Sequence, residues 1–225
     1  MSEPSRCGFV ALIGAPNVGK STLLNRLIGS KISIVSPKVQ TTRRRVLGIL
    51  GEGAAQIVFV DTPGIFAPRR RLDRAMVHMA WRSAGDADLV KAVAGRLPEG
   101  PWHYPADQVS DMPLREIAAE IAREQLFCQL HAELPYALTV EQESWEDFAD
   151  GSLRIGQQII VARESQRAIV LGEGGSRIKS VRQAAQSEIS ALTGRKVHLF
   201  LHVKFRENWQ DDPERYRAMG LDFDD

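Results

Sequence analysis

Between an apolar run, Phe9 to Ile13, and a helix-like stretch, Thr22 to Leu27, stands the segment Gly14-Ala15-Pro16-Asn17-Val18-Gly19-Lys20-Ser21. Its pattern, G-x-x-x-x-G-K-[ST] set between a strand and a helix, is what a phosphate cradle requires. Gly14 and Gly19 let the backbone curl so that its N–H groups point inward at phosphate oxygens. The following helix adds the partial positive charge of its N-terminus. Lys20 is placed to reach the β- and γ-phosphates, and the Ser21 hydroxyl to hold Mg²⁺. A nucleoside triphosphate site formed by Gly14 to Ser21, with Thr22 opening the helix, is therefore expected. A glycine-rich turn of no function is the competing reading, and the flanking strand and helix weigh against it.

A chain of 225 residues makes one large or two small domains. With 44% hydrophobic and 25% charged residues it can bury a core. No apolar run approaches a membrane span, and Met1 to Arg6 does not read as a signal peptide. Cys7 and Cys128 lie far apart among apolar neighbours and read as buried free thiols of a cytoplasmic protein, a disulfide or metal pair being the alternative. The net charge of +1 conceals a basic stretch from Arg163 to Arg206, nine basic residues against three acidic. An acidic tail from Glu207 to Asp225 follows, with seven acids against Arg215 and Arg217. The basic stretch suits a polyanionic partner, a solvated helix face being the alternative.

In the first half, Gly29 marks a helix end, and a polar connection, Ser36 to Arg45, carries Lys38, Thr41, Thr42 and Arg43 to Arg45. Strands are expected at Val46–Leu50 and Gln56–Val60, joined as a hairpin through Gly51-Glu52-Gly53. The second strand runs into Asp61-Thr62-Pro63-Gly64, 41 residues after Lys20. At that place Asp61 can hold a water ligand of Mg²⁺, and the Gly64 N–H can sense a γ-phosphate. An Asx turn before proline is the other reading of Asp61. Thr62, Pro63 and Ile65 complete this stretch of the nucleotide site.

In the second half, apolar residues from Pro113 to Leu130 recur at helical spacing. Tyr136, Leu138 and Val140 alternate as in a strand, and a second strand is expected over Leu153 to Val161. Then comes Gly172-Glu173-Gly174-Gly175 between a short and a longer helix, followed by Arg177 and Lys179. A last strand alternates Val197, Leu199, Leu201, Val203 and Phe205. Helix, two strands, helix, G-x-x-G, helix, strand is the order of a type II KH domain. Its glycines admit the backbone of a single strand while Arg177 and Lys179 meet the phosphates.

The stretches Gly14–Ser21, Gln40-Thr41-Thr42-Arg43 and Asp61–Gly64 resemble the P-loop GTPases, and in particular the bacterial Era family. The second half, from Glu124 to Trp209 and including Ala132-Glu133-Leu134-Pro135-Tyr136, resembles that family's KH domain. The resemblance implies an α/β fold: a P-loop GTPase-type, mainly parallel sheet, here shortened, followed by an α+β type II KH domain. It implies GTP and GDP as ligands with Mg²⁺, GTP hydrolysis, binding of small-subunit ribosomal RNA and assistance to 30S assembly. Thr42 becomes the switch threonine on Mg²⁺ and γ-phosphate, with Thr41 the alternative. Lys20, Thr42 and Gly64 become the catalytic set, Ser21, Thr42 and Asp61 (through water) the metal set, and Gly172, Glu173, Gly174, Gly175, Arg177 and Lys179 the RNA set. Ile65 stands where many GTPases carry a water-orienting Gln, so slow hydrolysis is expected. A monomer is expected, with contact at the inner membrane face implied by the resemblance alone.

The family's guanine-reading N-K-x-D motif does not occur in this chain, and so no S-A element follows one. Asp86 to Val90 reads as entry to a fourth strand, and the chain then passes quickly into Arg96–Trp102, which resembles the interdomain region. The expected division is residues 1–95 as the shortened GTPase domain, 96–112 as linker, 113–206 as KH domain and 207–225 as acidic tail. Phe9–Ile13, apolar on both faces, should be central and covered, and becomes an exposed edge if the fourth strand is disturbed. A nucleotide-dead RNA-binding KH protein and a P-loop ATPase with a nucleic-acid module are the rival readings.

Overall fold

A computed structural model describes residues 4–14, 17–36, 38, 46–61, 86–131, 134–209 and 212. The chain divides into two compact units, 1–112 and 113–225.

The first unit is built on β1 (Arg6–Leu12), β2 (Val46–Glu52) and β3 (Ala55–Asp61), in the order β1-β3-β2. β1 and β3 are parallel, whereas β2 and β3 form an antiparallel hairpin, so the sheet is mixed. The hairpin turns at Gly53, whose left-handed φ of +58° suits a glycine. One face packs on α1 (Lys20–Ile28) and α2 (Asp86–Ala94) through Leu24, Leu27, Val46, Ile57, Phe59, Val90, Ala94 and Leu97. Gly48 permits that approach, because a Cβ there would lie 2.6 Å from Leu24 and 2.9 Å from Ile28 and Ile32. The helix α1 ends at Gly29, left-handed at φ +71°, whose N–H closes on the Arg26 carbonyl.

Three expectations change here. Asp86–Val90 is helical rather than a strand. Leu89, Val90, Val93, Ala94 and Leu97 recur at helical spacing and pack on the sheet face, which decides the period for a short apolar run. Residues 96–112 are not a free linker but a strap across the first sheet. Pro98 and Gly100 bond to the start of β1, while Val109 and Ser110 bond to β2. Between them Trp102 and Tyr104 cover the second face, over Cys7, Leu47, Ile49 and Val58. β1 is not central: among the described residues β3 is its one strand neighbour, and Phe9 and Ile13 are 56% and 66% exposed.

The second unit opens with α3 (Leu114–Gln129), then β4 (Leu138–Asp147), β5 (Leu153–Val161), α4 (Glu164–Leu171), α5 (Ser176–Thr193) and β6 (Val197–Phe205). The sheet order is β4-β5-β6, with β4 antiparallel and β6 parallel to β5. Tyr136 lies in a 3-10 turn, Leu134–Ala137, so the first strand starts two residues later than the alternation suggests. Leu126, Leu130, Ile159, Val161, Val170, Val181 and Val203 form the core between helices and sheet. Residues expected to open a tail instead close on this unit. Trp209 is buried, and its indole N–H donates to the Ala137 carbonyl at 3.2 Å. Among the described residues no helix is long and apolar enough to cross a membrane.

Candidate nucleotide site and RNA-binding loop

The phosphate loop leaves β1 at Leu12 and enters α1 at Lys20. Asn17 and Gly19 take left-handed conformations, φ +59° and +94°, which turn successive backbone groups toward one side. Gly19 is the residue before the helix, and its carbonyl accepts the Leu23 N–H at 2.8 Å. Lys20 folds back along the loop, its Nζ donating to the Gly14 carbonyl at 3.0 Å.

Behind the loop lies Asp61, fully buried at the end of β3. Its Oδ2 accepts from the Ser21 hydroxyl at 2.6 Å and from the Ser33 hydroxyl at 2.9 Å. Its Oδ1 is buried and has no hydrogen-bond partner among the described residues. A buried carboxylate oxygen left without a donor is costly unless a cation or its water shell meets it. The donor set, one hydroxyl and one carboxylate, is hard oxygen and suits Mg²⁺. Burial pushes the Lys20 ammonium below its usual value, and the Asp61 carboxylate opposes that shift. An arriving polyphosphate acts in the same direction as Asp61, favouring the charged amine.

Sequence reading missed Ser33 and the residue that places it. Asn25, on α1, donates its Nδ2 to the Ser33 carbonyl at 2.7 Å and accepts the Ile32 and Ser33 N–H groups on Oδ1. No local motif marks this bracket, because it joins a helix to a loop that only tertiary structure brings back. Gly14, Asn17, Val18, Gly19, Lys20, Ser21, Thr22 and Asp61 therefore gather at one end of the first sheet. Ala15, Pro16, Thr42, Thr62, Pro63, Gly64 and Ile65 lie outside the described residues.

In the second unit the G-x-x-G loop joins α4 to α5. Gly172, Gly174 and Gly175 all have positive φ, +73°, +57° and +76°. A Cβ on Gly172 would stand 2.8 Å from that of Arg177, whereas one on Gly174 would meet nothing. Gly172 thus keeps the turn tight, and Gly174 keeps its outer side open. Glu173, Gly174 and Lys179 are exposed. Arg177 is partly committed within the unit, its guanidinium donating to the Ile169 carbonyl at 2.6 Å. The basic stretch around the loop is less free than its charge suggests. Arg167 pairs with Glu164, Arg195 with Asp147, and Lys204 with Glu143.

Residues 9–125 match the family model described as a 50S ribosome-binding GTPase, and residues 133–210 match the KH domain. GTPase Era of Afipia carboxidovorans is 48% identical over 296 positions, covering 99% of this chain and 96% of that protein. GTPase Era of Rhizobium meliloti is 48% identical over 294 positions, covering 98% and 94%. Setting 296 aligned positions against 225 residues leaves at least 71 positions of the first relative without a counterpart here. Both termini align, so the shortfall is internal. Among solved structures, Era bound to MgGDPNP and nucleotides 1506-1542 of 16S ribosomal RNA aligns with TM-score 0.83 and 30% identity over 97% of this chain and 99% of that one. A point variant of Aquifex aeolicus Era bound to GDP.AlF4- aligns with the same score and identity over 96% and 99%.

Proposed function

The chain belongs to the family of GTPase Era, and on that premise we propose that it binds GTP with Mg²⁺, hydrolyses it to GDP and phosphate, and assists small-subunit ribosome assembly by holding small-subunit ribosomal RNA. The observation that carries the reading is the Ser21–Asp61 pair. Residues 40 positions apart meet at 2.6 Å behind the phosphate loop, with one buried carboxylate oxygen left over.

Within this reading Gly14 to Thr22 cradle the phosphates, and Lys20 places its cation against them. Ser21, Asp61 and Thr42 hold Mg²⁺, which when bound neutralises phosphate charge. Thr42 and Gly64 register the γ-phosphate, and Thr62, Pro63 and Ile65 complete the wall. Ile65 has no proton acceptor, so attack by water depends on positioning and charge rather than on a side-chain base. In the second unit Gly172 to Gly175 admit an RNA backbone, and Arg177 and Lys179 meet its phosphates. The role places the protein in the cytoplasm. We assign residues 1–112, strap included, to the nucleotide unit and 113 onward to the RNA unit.

Titration of the purified chain with labelled GTP, with and without Mg²⁺, and with single-stranded RNA from the 3′ end of small-subunit ribosomal RNA tests both halves. Mg²⁺-dependent GTP binding, slow phosphate release and RNA binding are expected. RNA binding with no nucleotide binding would overturn the GTPase half and leave a KH protein alone.

A further inference from the structure

Asn25 follows Ser21 by four residues on α1, so the two side chains share the helix face turned toward Asp61. After α1 the chain returns to that face with Ile32, Ser33 and Ile34 buried, and buried backbone groups need partners. Asn25 provides for three: its Oδ1 accepts the Ile32 and Ser33 N–H groups at 3.0 and 2.9 Å, and its Nδ2 donates to the Ser33 carbonyl at 2.7 Å. Service to the loop backbone alone would account for that bracket. What goes further is the side chain it fixes. The Ser33 hydroxyl, on a residue held at both its N–H and its carbonyl, reaches Asp61 Oδ2 at 2.9 Å.

The backbone of Asp61 is fixed in the sheet between Leu12 and Val46. Its carboxylate is not, since the last torsion of an aspartate is soft and roughly two-fold. A single donor, the Ser21 hydroxyl at 2.6 Å, lets the group pivot about one contact. A second donor from a different segment, on the same oxygen, stops the pivot. Both hydroxyls select Oδ2, which leaves Oδ1 as the buried oxygen without a hydrogen-bond partner among the described residues. We propose that Asn25 is a positioning residue of the metal site: through Ser33 it sets the Asp61 carboxylate so that Oδ1 meets the water shell of Mg²⁺. This role presupposes the site for GTP with Mg²⁺ proposed above. Asn25 acts through Ser33 alone, so its effect is confined to the part of the affinity that the metal contributes.

GTP affinity of the full chain, measured by calorimetry in Mg²⁺ and in EDTA, gives the gain due to the metal. Asn25→Ala and Ser33→Ala should each cut that gain about fivefold, the worth of one hydrogen bond to the carboxylate. Affinity in EDTA should hold. The double variant should again lose about fivefold, rather than the roughly 25-fold of independent sites, because the two residues act as one. Amide exchange of the nucleotide-free chain is a readout without metal. The Ile32 and Ser33 N–H groups should lose protection in Asn25→Ala and keep it in Ser33→Ala. If Asn25→Ala fails to fold, Asn25→Asp takes its place in the cycle. It keeps the acceptor for both N–H groups and loses the donor to the Ser33 carbonyl, and adding it to Ser33→Ala should cost no further metal gain. A metal gain untouched by Asn25→Ala, an equal fall in Mg²⁺ and in EDTA, or losses that multiply in the double variant overturns the proposal and leaves the GTPase reading standing. A wild-type chain whose GTP binding gains nothing from Mg²⁺ overturns both.

Discussion

Two glycine loops in this molecule, both proposed to hold phosphate without side-chain bulk, lie at different depths. The loop before α1 sits over a fully buried carboxylate and carries a part-buried lysine. The loop before α5 has its variable residues, Glu173 and Gly174, in solvent, and its outer side is open space. A desolvated site concentrates its energy in a few charge-assisted contacts, whereas an exposed rail depends on counterion release along a backbone. The first should be fragile to one substitution and indifferent to moderate salt. The second should be the reverse.

Lys20→Ala should produce the largest effect, a loss of roughly 100-fold in triphosphate affinity, as expected for charged hydrogen bonds. RNA affinity, measured on the same sample, should stay unchanged, and an equal fall in both would break the contrast. Placing Asp at both Glu173 and Gly174 should lower single-stranded RNA affinity about tenfold by repulsion at the loop. Gly174 is the right position because Asp tolerates its left-handed φ and a Cβ there meets nothing. Raising salt should weaken RNA binding much more than GTP binding.

Ser33→Ala tests the floor of the deep site. It removes one of two donors to Asp61 at a cost of about 1 kcal/mol, or about fivefold in the Mg²⁺-dependent part of nucleotide affinity. Calorimetry with and without Mg²⁺ would separate that part from the rest.

The lysine supplies a pH contrast. Burial places its folded value below the ordinary 10.5, so the charged amine is carried at a cost at neutral pH. That cost lifts as pH rises through the folded value toward 10.5. Triphosphate affinity should therefore decline in alkali before free lysine would titrate, and Lys20→Met should flatten the profile. The smallest expected effect is exchange of the base. With no N-K-x-D in the chain, GTP and ATP should compete with a ratio near unity, and a strong preference for GTP would show that guanine is read by other residues.

What could be read from the sequence was what chemistry fixes locally. Gly14 to Ser21 and Gly172 to Gly175 are short runs in which each position has one steric or electrostatic duty. The alternation of β6 was equally plain, since one of its faces is buried. Ser33 was hidden because its duty exists only once α1 and β3 are assembled. Asp86–Val90 misled because a short run of mixed apolar character fits a strand or a helix until the sheet face chooses. The strap was hidden too: Trp102, His103 and Tyr104 follow no period, and the side chain that fixes this stretch lies 47 and 48 residues from the N–H groups it binds.

That side chain is Gln56, 1% exposed in the middle strand. Its Oε1 accepts from the His103 and Tyr104 N–H groups at 2.9 and 3.0 Å, and its Nε2 donates to the Tyr104 carbonyl at 2.8 Å. The consequence concerns the newborn chain. When β3 has just been made, the sheet still lacks both its second helix and the cover for its far face, and Gln56 has nothing to bind. Contacts of this sequence separation form late, after a loop has been closed to reach them. The first unit therefore cannot finish during synthesis of its own strands. It is completed only as Tyr104 to Ser110 emerge, at the threshold of the second unit, so a pause or truncation before that point leaves three apolar strands open to any neighbouring chain.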